Sequence, residues 1–175
     1  MNMQKTYVSA NELLLDSFTL AKQVKDSGYE PTALIVPWRG GMPVGICMHE
    51  YFHTQGVTLK STVIKTSAYS GIDKRSDVTL APFAPDFTED DRLLIVDDVF
   101  DTGRTMKALK EELGRHCKDI RIATVFFKPS RNETELSPDY YLYATDEWIV
   151  FPHEVDGLTP EELEEKSPAL ARLFP

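Results

Sequence analysis

The chain has 175 residues, 42% of them hydrophobic and 27% charged, with a formal net charge of −9. That length suits one domain with a real core, and the acidity argues against broad nucleic-acid binding, which needs excess Lys and Arg to neutralise phosphates. No apolar run reaches the roughly 20 residues of a membrane helix, no secretory apolar segment follows the N-terminal residues, and two cysteines, Cys47 and Cys117, make no disulfide framework. The expected compartment is the cytoplasm.

In chain order, residues 5–8 form a short candidate strand. Ser9-Ala10-Asn11-Glu12 has capping-box spacing, so a helix begins there. It runs to about Ser27, where Gly28 offers a stop. Residues 33–36 read as a buried strand closed by Pro37. Residues 38–43 form a tight loop and 44–53 a helix. Residues 57–65 alternate like a strand. Residues 66–79 are weakly apolar and contain Ser70-Gly71, which predicts a mobile loop. A strand over 92–96, a small-residue loop, a helix over 105–116 and strands over 120–127 and 140–143 follow. Strands alternating with helices predict an α/β fold with a mostly parallel sheet flanked by helices. From Lys128 onward the alternation breaks, which suggests a small appended hood within a single domain: core 1–127, hood 128–158, acidic helical tail 159–175.

In open parallel sheets, ligands bind beyond the carboxyl ends of the strands. Two segments occupy that place. One follows Val36 and carries Arg39, Gly40 and Gly41. The other runs Leu93-Leu94-Ile95-Val96-Asp97-Asp98-Val99-Phe100-Asp101-Thr102-Gly103-Arg104-Thr105. Glycine lets backbone amides approach a phosphate, and a helix start adds unpaired N–H groups and a positive dipole end. Arg39 can bridge anionic oxygens through its planar fork. A lone Asp-Asp pair is most often an acidic turn, but strand, acid pair, third acid, glycine and helix in this order predict a phosphate cradle rimmed by carboxylates.

These residues resemble the type I phosphoribosyltransferases. Residues 93–105 match that family's motif for phosphoribosyl pyrophosphate, and Arg39-Gly40-Gly41 its pyrophosphate loop. Lys128-Pro129, and Asp146-Glu147-Trp148-Ile149 with Pro152 soon after, are similar to the purine-binding hood of bacterial xanthine-guanine and hypoxanthine phosphoribosyltransferases. The resemblance implies a type I phosphoribosyltransferase-like fold and transfer of phosphoribosyl to guanine, xanthine or hypoxanthine. It also implies roles by position. Asp97 and Asp98 hold the ribose hydroxyls directly or through Mg²⁺, with Asp97 as metal ligand. Amides over 101–105, with the Thr102 and Thr105 hydroxyls, Gly103 and Arg104, bind the 5′-phosphate. Asp101 exchanges a proton with the purine, Lys128 donates to its 6-oxo group, Trp148 stacks on it, and the Ile149 backbone meets its 2-position. The implied assembly is a homodimer or homotetramer.

Two positions depart from the family pattern. Ser67-Ala68-Tyr69 stands where relatives often carry Ser-Tyr, so Tyr69 is a substrate-binding candidate without its adjoining hydroxyl. Val150 stands where xanthine-guanine enzymes can carry a carboxylate, which leaves the 2-position preference open. Three rival readings are weaker. His49-Glu50-Tyr51-Phe52-His53 fits the His-Glu-x-x-His zinc-protease pattern, but His116 and His153 lie at no recognisable third-ligand spacing; Met48 and Phe52 are expected to pack inward, with the histidines on other faces. A nucleotide-sensing regulator acting through RNA would need a basic surface. A phosphoacceptor receiver would need its acid pair near the start of the chain.

Overall fold

A computed structural model describes residues 5–68 and 78–174. The chain divides into two compact units, Leu14–Asp146 and the pair of segments Met1–Leu13 and Glu147–Pro175.

The larger unit carries a six-stranded sheet. Its strands are β2 (Ala33–Trp38), β3 (Lys60–Ala68), β4 (Val78–Leu80), β5 (Arg92–Phe100), β6 (Asp119–Phe127) and β7 (Tyr140–Ala144), in the order β4-β3-β2-β5-β6-β7. All pairs are parallel except β3–β4. Helix α1 (Ala10–Asp26) starts in the smaller unit, with the expected capping box: Glu12 N–H donates to Ser9 Oγ and Ser9 N–H to Glu12 Oε2. It stops before Gly28, whose φ of +81° only glycine adopts without strain. Helices α2 (Gly41–Thr54) and α3 (Arg104–Leu113) connect strands.

Along β5, Leu93, Leu94, Ile95 and Val96 are all fully buried. Side chains alternate between the two faces of a strand, so the unbroken apolar run means that both faces are covered. On one face Leu93 and Ile95 share a core with Met106, Leu109 and Leu113 of α3. The buried α2 residues Val44, Met48 and Phe52 recur at helical spacing, and α2 packs on β2 and β5.

Several boundaries differ from the sequence expectations. β2 runs on through Pro37 to Trp38, paired with β3, because β5 pairs only Ala33–Ile35 and the missing proline N–H is not needed on that side. α2 starts at Gly41, taking Met42 and Pro43 into its first turn, where a proline costs no intrahelical bond. The expected mobile loop is partly sheet: Thr66–Ala68 pair antiparallel with Val78–Leu80, and Tyr69 lies outside the described residues. α3 ends at Leu113, before Gly114, three residues short of the expected stop.

The smaller unit holds a two-stranded parallel sheet of β1 (Lys5–Tyr7) and β8 (Trp148–Val150), with helices α4 (Pro160–Lys166) and α5 (Pro168–Ala171). No described helix is long and apolar enough to cross a membrane.

Candidate active site

After β2 the chain turns through α2 to β3 on one side of β2; after β5 it turns through α3 to β6 on the other side of β5. β2 and β5 are neighbours, so their carboxyl ends open at a switch point of the sheet, the crevice where such folds bind ligands. Arg39, Gly40 and Gly41 follow β2; the acid motif ends β5. The two segments touch. A Cβ on Gly40 would lie 2.6 Å from both carboxylate oxygens of Asp98, and one on Gly41 2.5 Å from the Val96 carbonyl. Both glycines are therefore required by close approach. Arg39 is exposed at the rim.

Asp97 and Asp98 sit on the strand itself, which corrects the expectation of a strand ending at Val96. β5 stays paired with β6 through Phe100, opposite Phe127, because Phe100 is buried and meets the Phe127 ring edge-on at 5.4 Å between centroids. Adjacent on the strand, the two carboxyls stand within side-chain hydrogen-bond reach of each other. Asp98 goes toward Gly40 and is 5% exposed. Asp97 lies in register with Thr124, whose buried hydroxyl has no described hydrogen-bond partner. Burial first, then the neighbouring Asp98 charge, holds the Asp97 carboxyl well above the usual carboxylate range; the Asp98 N–H, donating to Asp97 Oδ1 at 3.0 Å, opposes this.

The cradle follows. Gly103 has φ +78°, and a Cβ there would lie 2.6 Å from Thr134 Oγ1 and 2.8 Å from Phe100 Cε1. Gly103 caps α3, accepting from Lys107 N–H at 2.9 Å. The amides of residues 104–106 lie in the first turn of α3 and have no acceptor within the helix; that of Arg104 donates to Thr102 Oγ1 at 3.5 Å. Thr102 and Thr105 are half-buried. The Arg104 side chain is turned to an ion pair with Glu133, so its part in the cradle is its main chain. Glu133 N–H in turn donates to the Thr102 carbonyl at 3.0 Å.

Asp101 sits between two cations. Lys128 Nζ is 3.8 Å from Oδ2, and Arg131 Nε is 2.6 Å from Oδ1. Lys128 is 5% exposed, and its N–H donates to the Phe100 carbonyl. Oδ1 is buried, and Arg131 approaches it off the line of a hydrogen bond. Arg131 closes a 3-10 turn, Pro129–Arg131, that Asp146 pins by accepting from the Ser130 N–H and hydroxyl at 3.0 and 2.7 Å. Sequence reasoning missed Arg131; its one signal was its place three residues after Lys128.

In the smaller unit, Trp148 is 44% exposed, while Ile149, Val150 and Phe151 are buried. Val8 N–H donates to the Val150 carbonyl at 3.0 Å. With the register Thr6–Ile149, this gives the main-chain groups of Trp148 and Val150 to β1 and turns those of Ile149 to the opposite edge.

The His49 and His53 rings stack 6.4 Å apart, and His49 Nδ1 pairs with Ser61 Oγ at 3.1 Å. Met48 and Phe52 are fully buried, as expected. Among the described residues no group of three or more His, Cys, Asp or Glu is placed to hold a metal ion, so no third ligand completes a zinc site. Magnesium is a different case. It binds through one or two carboxylates plus substrate phosphates, and two crowded carboxylates beside an unpartnered hydroxyl are a donor set of that kind.

The phosphoribosyl transferase domain family matches residues 3–158. The hypoxanthine-guanine phosphoribosyltransferase of Streptococcus mutans is 26% identical over 152 residues, 85% of this chain and 83% of that protein. The xanthine-guanine phosphoribosyltransferase of Idiomarina loihiensis is 31% identical over 105 residues, 57% of this chain and 62% of that protein. The crystal structure of a purine phosphoribosyltransferase from Pyrococcus horikoshii matches with a TM-score of 0.73 and 32% identity, covering 89% of this chain and 97% of that one.

Proposed function

This chain belongs to the phosphoribosyltransferase family, and from that premise we propose that it transfers 5-phosphoribosyl from phosphoribosyl pyrophosphate to a 6-oxopurine, guanine, xanthine or hypoxanthine. The products are the nucleoside monophosphate and pyrophosphate. The observation that supports the reading is that Gly40 lies against Asp98 at the switch point, which joins the two segments we assign to the donor.

The reaction forms a bond from a purine nitrogen to C1′ as the C1′–oxygen bond to pyrophosphate breaks. Positive charge develops on the sugar as in other glycosyl transfers, so catalysis rests on positioning and on charge stabilisation. Arg39, Gly40 and Gly41 bind the pyrophosphate. Asp97 and Asp98 hold the ribose hydroxyls, and the amides and hydroxyls of Thr102, Gly103, Arg104 and Thr105 hold the 5′-phosphate. Asp97 would hold Mg²⁺, which would supply positive charge beside the pyrophosphate. Asp101 takes the proton that the purine sheds, with Lys128 donating to the 6-oxo group. Trp148 stacks on the base and the Ile149 main chain, turned away from β1, reads its 2-position. Tyr69 stays a substrate-binding proposal on sequence alone. The proposal extends to a hood over residues 128–158, a cytoplasmic location and a homodimer or homotetramer.

The test is incubation of the protein with phosphoribosyl pyrophosphate, Mg²⁺ and each of the three bases. Nucleoside monophosphate is expected with at least one. Absence of nucleotide with all three overturns the reading.

A further inference from the structure

The acidic tail after the hood contains α4, which is fastened to β1 and to the turn that follows β8. Its start is a capping box: Glu162 N–H donates to Thr159 Oγ1 and Thr159 N–H to Glu162 Oε2. The same Glu162 carboxylate pairs with Lys5 of β1, both side chains being largely covered. Four residues on, on the same helix face, the Lys166 ammonium donates to the Phe151 carbonyl at 2.5 Å and to the Glu154 carbonyl. Those carbonyls belong to the turn that directly follows β8, where Glu154 N–H donates to the Phe151 carbonyl and Phe151 N–H to Glu154 Oε2. Burial of the Lys166 ammonium among these groups lowers its proton affinity, which is a cost that a solvated tail would not carry.

We propose that α4 is a strap that fixes the position of Trp148 and Ile149, with Lys166 as a positioning residue for purine binding. The proposal rests on the assignment of those two residues to the base. A four-carbon side chain ending in an ammonium is suited to the task, since it offers three donors at one point to carbonyls that converge there. With Lys166 in place the turn is held at its first and fourth residues, and β8 enters it in one orientation. Without it the two carbonyls lose their shared donor, and the exposed Trp148 ring and the Ile149 main chain lose the restraint that this grip on the turn supplies.

The test compares wild type with Lys166→Met, which keeps the stem and removes the ammonium, and with Lys166→Arg, which keeps donors. The KM for purine is expected to rise about tenfold in Lys166→Met, equivalent to about 1.4 kcal/mol of binding, with the KM for phosphoribosyl pyrophosphate unchanged and substantial recovery in Lys166→Arg. A loss of folded protein alone would lower kcat and leave both KM values in place. Amide hydrogen exchange on the same proteins reads the strap without activity: Val8 and Val150 are expected to exchange faster in Lys166→Met. Unchanged exchange at those amides overturns the strap. An unchanged purine KM, or an equal rise in both KM values, overturns its role in binding. If wild type makes no nucleotide from any base, the substrate assignment falls, and the exchange data still decide the strap.

Discussion

Asp97 is favoured in its protonated form, whereas its proposed role toward ribose and Mg²⁺ calls for the ionised one. Burial and the Asp98 charge raise its proton affinity, so its ionised form is a cost to the fold. The sign follows: this carboxyl contributes its best stability while protonated, and stability is lost as pH rises from the unfolded carboxyl range through the raised folded value. Asp97→Asn is expected to raise Tm at neutral pH by about 2–4 °C, equivalent to about 1 kcal/mol in a domain of this size, while donor binding is lost. Thermal melts without Mg²⁺ check the first part and a donor-binding titration the second. A lower Tm would show that the pair is not repulsive. For wild type, donor affinity should strengthen as pH rises through the Asp97 titration, and Asp97→Asn should abolish that dependence. Asp101 is the contrasting acid in the same motif, facing Lys128 and Arg131 rather than another carboxylate. Identical residue types four positions apart thus meet opposite neighbouring charges, and only the fold makes the difference.

The elements that build the site were largely legible because each announces itself locally. The capping box at Ser9, the apolar run over 93–96 and the glycine before α3 all depend on neighbours in sequence, and each appears where expected. What was illegible depends on pairing between distant segments. β5 extends through Asp97 and Asp98 because β6 continues beside it, and two adjacent acids carry no signal for a strand. Arg131 faces Asp101 only because the 3-10 turn folds back under the grip of Asp146. Gly103 joins both kinds of information: its positive φ is a local demand, and its contact with Thr134 and Phe100 is a distant one. Gly103→Ala therefore carries backbone strain of about 1–3 kcal/mol together with a steric conflict. Urea unfolding should register a loss of at least that size. Steady-state assays should place the kinetic damage on the donor KM, with the purine KM little changed; the reverse pattern would remove the cradle from the donor's side.

Across the whole larger unit, the candidate site and a buried polar anchor occupy opposite ends of the strands of one sheet. The carboxyl end of β5 holds the crowded acids, beside the glycines that follow β2; the amino ends of both strands are tied by Asp91. This buried carboxylate accepts from the Thr32 hydroxyl at 2.6 Å, the Thr88 N–H at 2.7 Å and Lys60 at 3.1 Å, while its own carbonyl accepts from the Cys117 thiol. It thus gathers the starts of β2, β3, β5 and β6. The Thr32 bond first, then the Thr88 amide and Lys60, hold its carboxyl far below the usual range. The stability this supplies is fully present above the unfolded carboxyl range and is lost as pH falls through the lower folded value. Asp91→Asn should lower unfolding free energy at pH 7 by about 1–3 kcal/mol and flatten its decline in acid, as read by denaturant midpoints from pH 7 down to about 3. An unaltered acid profile would assign the decline elsewhere. The small sheet obeys a different logic, since β1 and β8 come from distant parts of the chain. During synthesis β1 emerges early and has no sheet partner until β8 has been translated, whereas β2, β3, β5 and β6 can pair as each follows the last. A nascent chain halted before Trp148 would hold its acid motif with β1 still unpaired, so the part assigned to the base is finished late in biogenesis, by an early strand that had to wait.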